Sequence, residues 1–160
     1  VSTDTFVYVT YIRTTPDKVW TALLEGEVTR QYWGGNANLA AKGWTKGAPW
    51  QHVAEGGKGA LRVVGEVLEL VPQQKLVLSW AEPGDAANPD KHSRVALEIE
   101  TVGDMVKLTV THDQLDLAMS QKISKGWPLV CASMKSFLET GRPLAIFGSC
   151  APPVAGARAS

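Results

Sequence analysis

The chain has 160 residues, 44% apolar and 20% charged, with sixteen basic residues balanced by sixteen acidic ones. This length suits one domain with a substantial core, and the composition is ordinary for a globular protein, which argues against disorder and against a fibrous class. Lysines and arginines occur only singly, so the basic footprint that phosphate neutralisation demands is missing and nucleic-acid binding is not expected.

Residues 5–13, TFVYVTYIR, predict a first strand rich in aromatic and β-branched side chains. Phe6, Tyr8, Thr10 and Ile12 share one face, and Val7, Val9 and Tyr11 the other, so both faces read as at least partly covered. At TTPDKVWTALLEG the period changes. Thr15 can cap a helix, Pro16 suits its first position, Asp17 complements the first-turn dipole, and Val19, Trp20, Leu23 and Leu24 form an apolar stripe that ends at Gly26. A second short helix, EVTRQYW, follows at once and presents Val28, Tyr32 and Trp33 before the Gly34-Gly35 break.

From Trp44 onward the pattern is mostly strand: PWQHVAE, a glycine-rich turn through Gly56, Gly57 and Gly59, then ALRVVGEVLELV and KLVLSWA. EPGDAANPDKH is a loop by its Pro, Gly and Asn content. Beyond it, Val95, Leu97 and Ile99 alternate with polar residues, as do Val106, Leu108 and Val110, predicting an antiparallel hairpin that turns at Val102-Gly103-Asp104. The last helix is expected over about residues 117–140. Ile123, Trp127, Val130, Met134 and Phe137 recur on one face, and Gly141 stops the run. Pro128 reads as a kink, or as the first residue of the main helix after a looser lead-in turn. Residues 144–160 form a tail in which Leu144, Ile146 and Phe147 can dock and the last ten residues look flexible.

Two cysteines, Cys131 and Cys150, are too few for a disulfide scaffold. No apolar stretch approaches the roughly 20 residues that span a bilayer, and no basic-then-apolar leader is evident, so a cytoplasmic, non-membrane setting is expected. One strand, two short helices, about five further antiparallel strands and one long helix give an α+β chain in which the long helix covers the apolar face of a sheet.

Taken together, IRTTPDKVWTALLEGEVTRQYW, GEVLELVPQQKLVLSW and GWPLVCASMKSFLETGRP resemble the polyketide-cyclase and START-like superfamily. Within it they look like the relatives of the C-terminal domain of the activator of the heat-shock protein 90 ATPase. The resemblance covers roughly residues 6–143 and implies a helix-grip fold: a curved six- or seven-stranded antiparallel sheet wrapped around a long C-terminal helix. A single domain over residues 1–143, followed by the tail 144–160, is the organisation it suggests. It also suggests a stress-response setting. Many superfamily members hold hydrophobic molecules between sheet and helix, and the resemblance carries over no catalytic set. The positions it matches are largely architectural, among them Tyr32-Trp33, Gly65, Trp80 and Gly126-Trp127.

Six tryptophans in a small chain can fill a core or wall a pocket. Trp33, Trp44, Trp80 and Trp127 are the pocket candidates, with Met134 as an adaptable neighbour and His112 as a polar contact; Met119, Arg62, Arg94 and Glu66 are further possibilities. His112 with Asp113 or Asp116 could form a base and its orienting carboxylate. The plainer reading is that one aspartate caps the last helix while His112 pairs in the sheet or faces water. Neither a metal-ligand spacing nor a nucleophile motif is present, so no metal, cofactor or catalytic residue is assigned. The leading expectation is non-catalytic binding of a small hydrophobic or amphipathic molecule by a monomer or homodimer. The alternatives are a protein-partner or chaperone-regulatory domain, discriminated by a large exposed apolar surface, and a cyclase- or hydrolase-type enzyme, discriminated by an ionisable group aimed into the cavity.

Overall fold

The alternation read at residues 93–111 becomes a long antiparallel hairpin in the computed structural model, which describes residues 4–147. Its strands are β6 (Ser93–Val102) and β7 (Met105–Leu115), paired from Arg94 opposite Asp113 to Val102 opposite Met105. Val95, Leu97 and Ile99 of β6 and Val106, Leu108 and Val110 of β7 are buried on one face, as a period of two requires.

Five further strands extend this hairpin: β1 (Asp4–Ile12), β2 (Ala37–Leu39), β3 (Pro49–Val53), β4 (Leu61–Val71) and β5 (Lys75–Trp80). The seven-stranded sheet runs β1-β7-β6-β5-β4-β3-β2, with every pairing antiparallel. The chain thus meanders from β2 to β7, and β1 closes the far edge. Helices α1 (Pro16–Leu24) and α2 (Gly26–Tyr32) bridge the two edges, and the single turn α3 (Ala54–Gly57) joins β3 to β4. Helix α4 (Leu117–Thr140) lies across the apolar face and buries Ile123, Trp127, Val130 and Met134 at the spacing of one helical stripe. This is the helix-grip arrangement that the family resemblance implies.

Local chemistry explains the helix boundaries. Thr15 accepts from the Lys18 amide and Pro16 occupies the first helical position of α1. Asp116, not Asp113, caps α4 by accepting from the Met119 amide at 2.8 Å; Gly141 ends it in the left-handed conformation at φ 79°. Pro128 begins no new helix: α4 is continuous through it. No helix of the described residues is long and apolar enough to cross a membrane.

Three expectations change. Gly26 does not merely end α1 but opens α2, where a Cβ would meet the Leu39 side chain at 2.9 Å, so its small size lets α2 approach β2. β2 was not foreseen as a strand. The outer face of β1 is not covered: Val7, Val9 and Tyr11 are 57%, 41% and 43% exposed, because α4 packs only on the opposite face. The last ten residues of the tail, expected to be flexible, lie outside the described residues. Of its docking residues, Ile146 is buried, while Leu144 and Phe147 stay exposed. Ser133 nonetheless holds Leu144, its hydroxyl accepting from the Leu144 amide at 3.0 Å.

Candidate functional site

A cavity of about 220 Å³ opens between the sheet and the N-terminal half of α4. Its walls are aromatic. Trp33, the residue that ends α2, approaches Trp127 of α4 edge-on with ring centres 5.4 Å apart; Trp80 of β5 lies 5.7 Å from the same Trp127 ring. Ile123 and Val130, one turn either side of Trp127, complete the apolar lining contributed by α4. Arg62, Glu82 and Lys122 stand at the exposed mouth together with Phe147, and Lys122 pairs with Glu82.

Three of the sequence candidates, Trp33, Trp80 and Trp127, therefore meet at this cavity. Met119 and Arg62 line it as well, whereas Trp44, Met134, His112, Arg94 and Glu66 do not. Trp44 donates its indole N–H to the Leu24 carbonyl at 3.0 Å and packs on Trp50, itself next to Trp80. Met134 lies two turns farther along α4, sealed in the core. Arg94 makes a two-bond pair with Asp113 on the opposite face of the sheet, and Glu66 lies in a separate surface groove.

His112 is fully buried behind the aromatic wall, and both of its nitrogens are engaged. The Trp127 indole N–H has only hydrogen to give, so His112 Nδ1 must accept it at 3.1 Å. The neutral ring then carries its proton on Nε2, donates it to Ser93 Oγ at 2.8 Å, and Ser93 Oγ donates onward to the Trp80 carbonyl. Burial, opposed only by nearby Asp113, pushes the His112 pKa down to about 4. This is a structural chain of bonds that fixes two pocket tryptophans, and it leaves His112 no lone pair for acid–base work. His112 neither faces water nor presents itself to the cavity.

The buried titratable group that does line the cavity is His52 of β3, which the sequence reading did not single out as a site residue. Asn38 of β2 donates its side-chain amide to the Leu23 carbonyl at 3.1 Å, which turns its oxygen toward His52 Nδ1 at 2.6 Å. Nδ1 must therefore donate, and the neutral ring keeps its lone pair on Nε2. His52 is only 4% exposed, and its Nε2 has no hydrogen-bond partner among the described residues. Burial, with a smaller contribution from Arg62, pushes its pKa down to about 4. One signal in the sequence could have found it: in PWQHV, His52 shares the inward phase of Trp50. Among the described residues, no group of three or more His, Cys, Asp or Glu side chains is placed to hold a metal ion.

Solved structures share this architecture. CalU16 from Micromonospora echinospora superposes with a TM-score of 0.67 at 19% identity, covering 87% of this chain and 78% of its own. The Aha1 dimer from Colwellia psychrerythraea gives 0.67 at 19% identity, covering 86% and 98%, and an Hsp90 activator from Plasmodium falciparum gives 0.63 at 19%, covering 77% and 86%. At such identities these likenesses establish the fold alone. Among curated proteins none matches the chain. The family described as Activator of Hsp90 ATPase homolog 1-like protein matches residues 13–139, most of the chain, and to that family the chain belongs.

Proposed function

We propose that this protein binds a small hydrophobic or amphipathic molecule, without transforming it, in the cavity between the sheet and α4. The observation that carries this reading is the convergence of Trp33, Trp80 and Trp127 on one open space rather than on each other alone. Core tryptophans ordinarily fill the volume between them. A cavity near 220 Å³ exceeds the roughly 150 Å³ of an engineered apolar cavity that takes benzene, and falls below the ~300–1,000 Å³ of larger ligand sites. One substituted ring fits that range. Burying ~150–200 Å² of such a ligand contributes about 4–5 kcal/mol, equivalent to a Kd of roughly 0.2–1 mM before association costs, so apolar burial alone gives weak binding and polar contacts must add to it.

The test is native mass spectrometry of gently purified full-length protein, alongside intrinsic tryptophan fluorescence during titration with single-ring and double-ring aromatics. A released molecule of defined mass, or saturable quenching by a ring of suitable size, supports the container. Unliganded protein with no saturable response to any probe overturns it.

A second reading, protein-partner binding, is favoured by a different observation. Val7, Val9 and Tyr11 form an exposed apolar stripe on β1, an edge strand. Sedimentation of the protein and of a Val9→Lys variant tests whether that stripe joins two copies; a monomer at every concentration with both proteins removes the dimer from consideration.

A further inference from the structure

We propose that the pocket recognises a planar aromatic molecule with a hydroxyl at its buried end and an anionic group at its mouth, the hydroxyl donating to His52 Nε2 and the anion meeting Arg62. The inference rests on the reading of the cavity as a binding site and names the chemistry which that site selects.

The argument begins at the floor. Asn38 is held by two bonds, its amide N–H donating to Thr29 Oγ1 at 2.8 Å and its side chain donating to the Leu23 carbonyl, so it cannot turn to offer His52 anything but an acceptor. His52 Nε2 is in consequence a fixed acceptor in a side chain that is itself almost wholly buried. A bound group that lacks a proton to share would leave that lone pair buried and unpaired, which costs binding. A carboxylate inserted first is disfavoured, since it faces an acceptor unless the buried ring takes up a proton, which burial opposes. A wholly aliphatic occupant would leave His52 Nε2 without a partner.

The walls select the middle of the molecule. Trp33 lies 4.7 Å from the His52 ring and Trp80 6.4 Å from it, so the acceptor sits between two aromatic surfaces. A flat ring whose hydroxyl lies in its own plane can reach Nε2 while stacking on either of them. At the mouth, Arg62 makes no ion pair or hydrogen bond among the described residues, whereas the charges of Lys122 and Glu82 offset each other. The rim therefore carries one uncompensated positive charge, which favours an anion over a cation. The burial that holds the His52 pKa near 4 keeps the ring neutral, and its acceptor available, at ordinary pH.

The experiment is calorimetric titration of the full chain with 4-hydroxycinnamate, with its methyl ether and with its methyl ester, repeated on Arg62→Gln. These probes change the ligand and an exposed side chain, so none depends on a core variant that might not fold. The acid should bind about tenfold more tightly than the ether, the value of one hydrogen bond to a buried acceptor. It should bind the wild type about threefold more tightly than the ester does, a difference that disappears in Arg62→Gln. Nitrogen-15 NMR should find His52 protonated on Nδ1, with the Nε2 resonance moving on addition of the acid and not of the ether.

Equal affinity for acid and ether, or a His52 ring protonated on Nε2, overturns the proposal and leaves the container reading standing. An ester that binds as well as the acid removes the part assigned to Arg62. Failure of all three probes, the ether included, counts against the container itself and takes the inference with it.

Discussion

Trp127 on α4 and His112 on β7 are joined by a 3.1 Å hydrogen bond in which the indole gives and the imidazole receives. Through that bond the position of the covering helix is tied to Ser93 and thence to the carbonyl of Trp80, so two walls of the cavity belong to one polar chain. Trp127 thus has two separable contributions: an apolar body that shapes the cavity and a proton that satisfies a fully buried nitrogen.

Substitution can separate them. Trp127→Phe keeps most of the apolar surface but leaves His112 Nδ1 without its donor, and should cost about 1–3 kcal/mol. Trp127→Ala removes the ring as well and should cost about 3–5 kcal/mol. Urea denaturation measures both. A Phe variant as stable as the wild type would mean that the bond to His112 contributes nothing.

His52 and His112 together predict an acid-sensitive fold. Each has a folded-state pKa of about 4, below the ordinary histidine value of about 6.5, chiefly because burial disfavours the charged ring. Above pH 6.5 both folded and unfolded chains hold these rings neutral, so their contribution is fully present. Between pH 6.5 and 4 the unfolded chain binds protons that the folded chain refuses, and stability falls with pH. Each ring contributes on the order of 1–3 kcal/mol to that loss, and below about pH 4 the loss stops growing. Denaturation midpoints at pH 7, 6 and 5 should decline in that order, and neither ring should titrate by NMR above pH 5.

What the sequence disclosed about this fold and site follows from periodicity. Alternation at residues 93–111 and the stripe from Ile123 to Met134 each identify an inward face, and those faces are buried as read. Periodicity tells inward from outward but cannot tell which inward residue borders an empty space. Met134 and Trp127 share one stripe of α4, yet only Trp127 reaches the cavity, because the side chains around Met134 close in. His112 was legible as a polar oddity on an apolar strand face, but its partners Ser93 and Trp127 lie 19 and 15 residues away. His52 depends on Asn38, which sits on a three-residue strand too short to show any period. β1 misled for the opposite reason: Val7, Val9 and Tyr11 have the composition of a covered face, although no element of the described chain packs there.

Gly65 predicts a sharp intolerance. The Trp50 side chain crosses β4 at Gly65 to donate its indole N–H to the Ser79 carbonyl on β5 at 2.9 Å. A Cβ at residue 65 would fall 1.9 Å from that carbonyl oxygen and 2.5 Å from the indole nitrogen. Gly65→Ala must therefore displace either a backbone segment or a buried tryptophan, and should cost about 3 kcal/mol or more. Gly84→Ala is the control, since a Cβ there meets no atom within 4 Å and should change stability by less than about 0.5 kcal/mol. Equal effects at the two positions would show that the crossing of Trp50 over β4 is wrong.

Phe147 predicts a change in ligand kinetics without a change in fold. Its ring stands at the cavity mouth, 3.9 Å from where a Cβ on Gly126 would lie, and it is 52% exposed. Little apolar surface is buried there, so Phe147→Ala should shift stability by less than about 0.5 kcal/mol. An aromatic molecule bound in the cavity meets this ring at the mouth, and the truncated side chain removes both a contact and a partial cover. Dissociation should accelerate several-fold while association changes less, the usual division when contacts are lost from a bound state. Stopped-flow tryptophan fluorescence with 4-hydroxycinnamate measures both rates. An unchanged dissociation rate would place the exit on the other side of the mouth, between Arg62 and the Glu82–Lys122 pair, and Arg62→Ala would then be the variant that accelerates release.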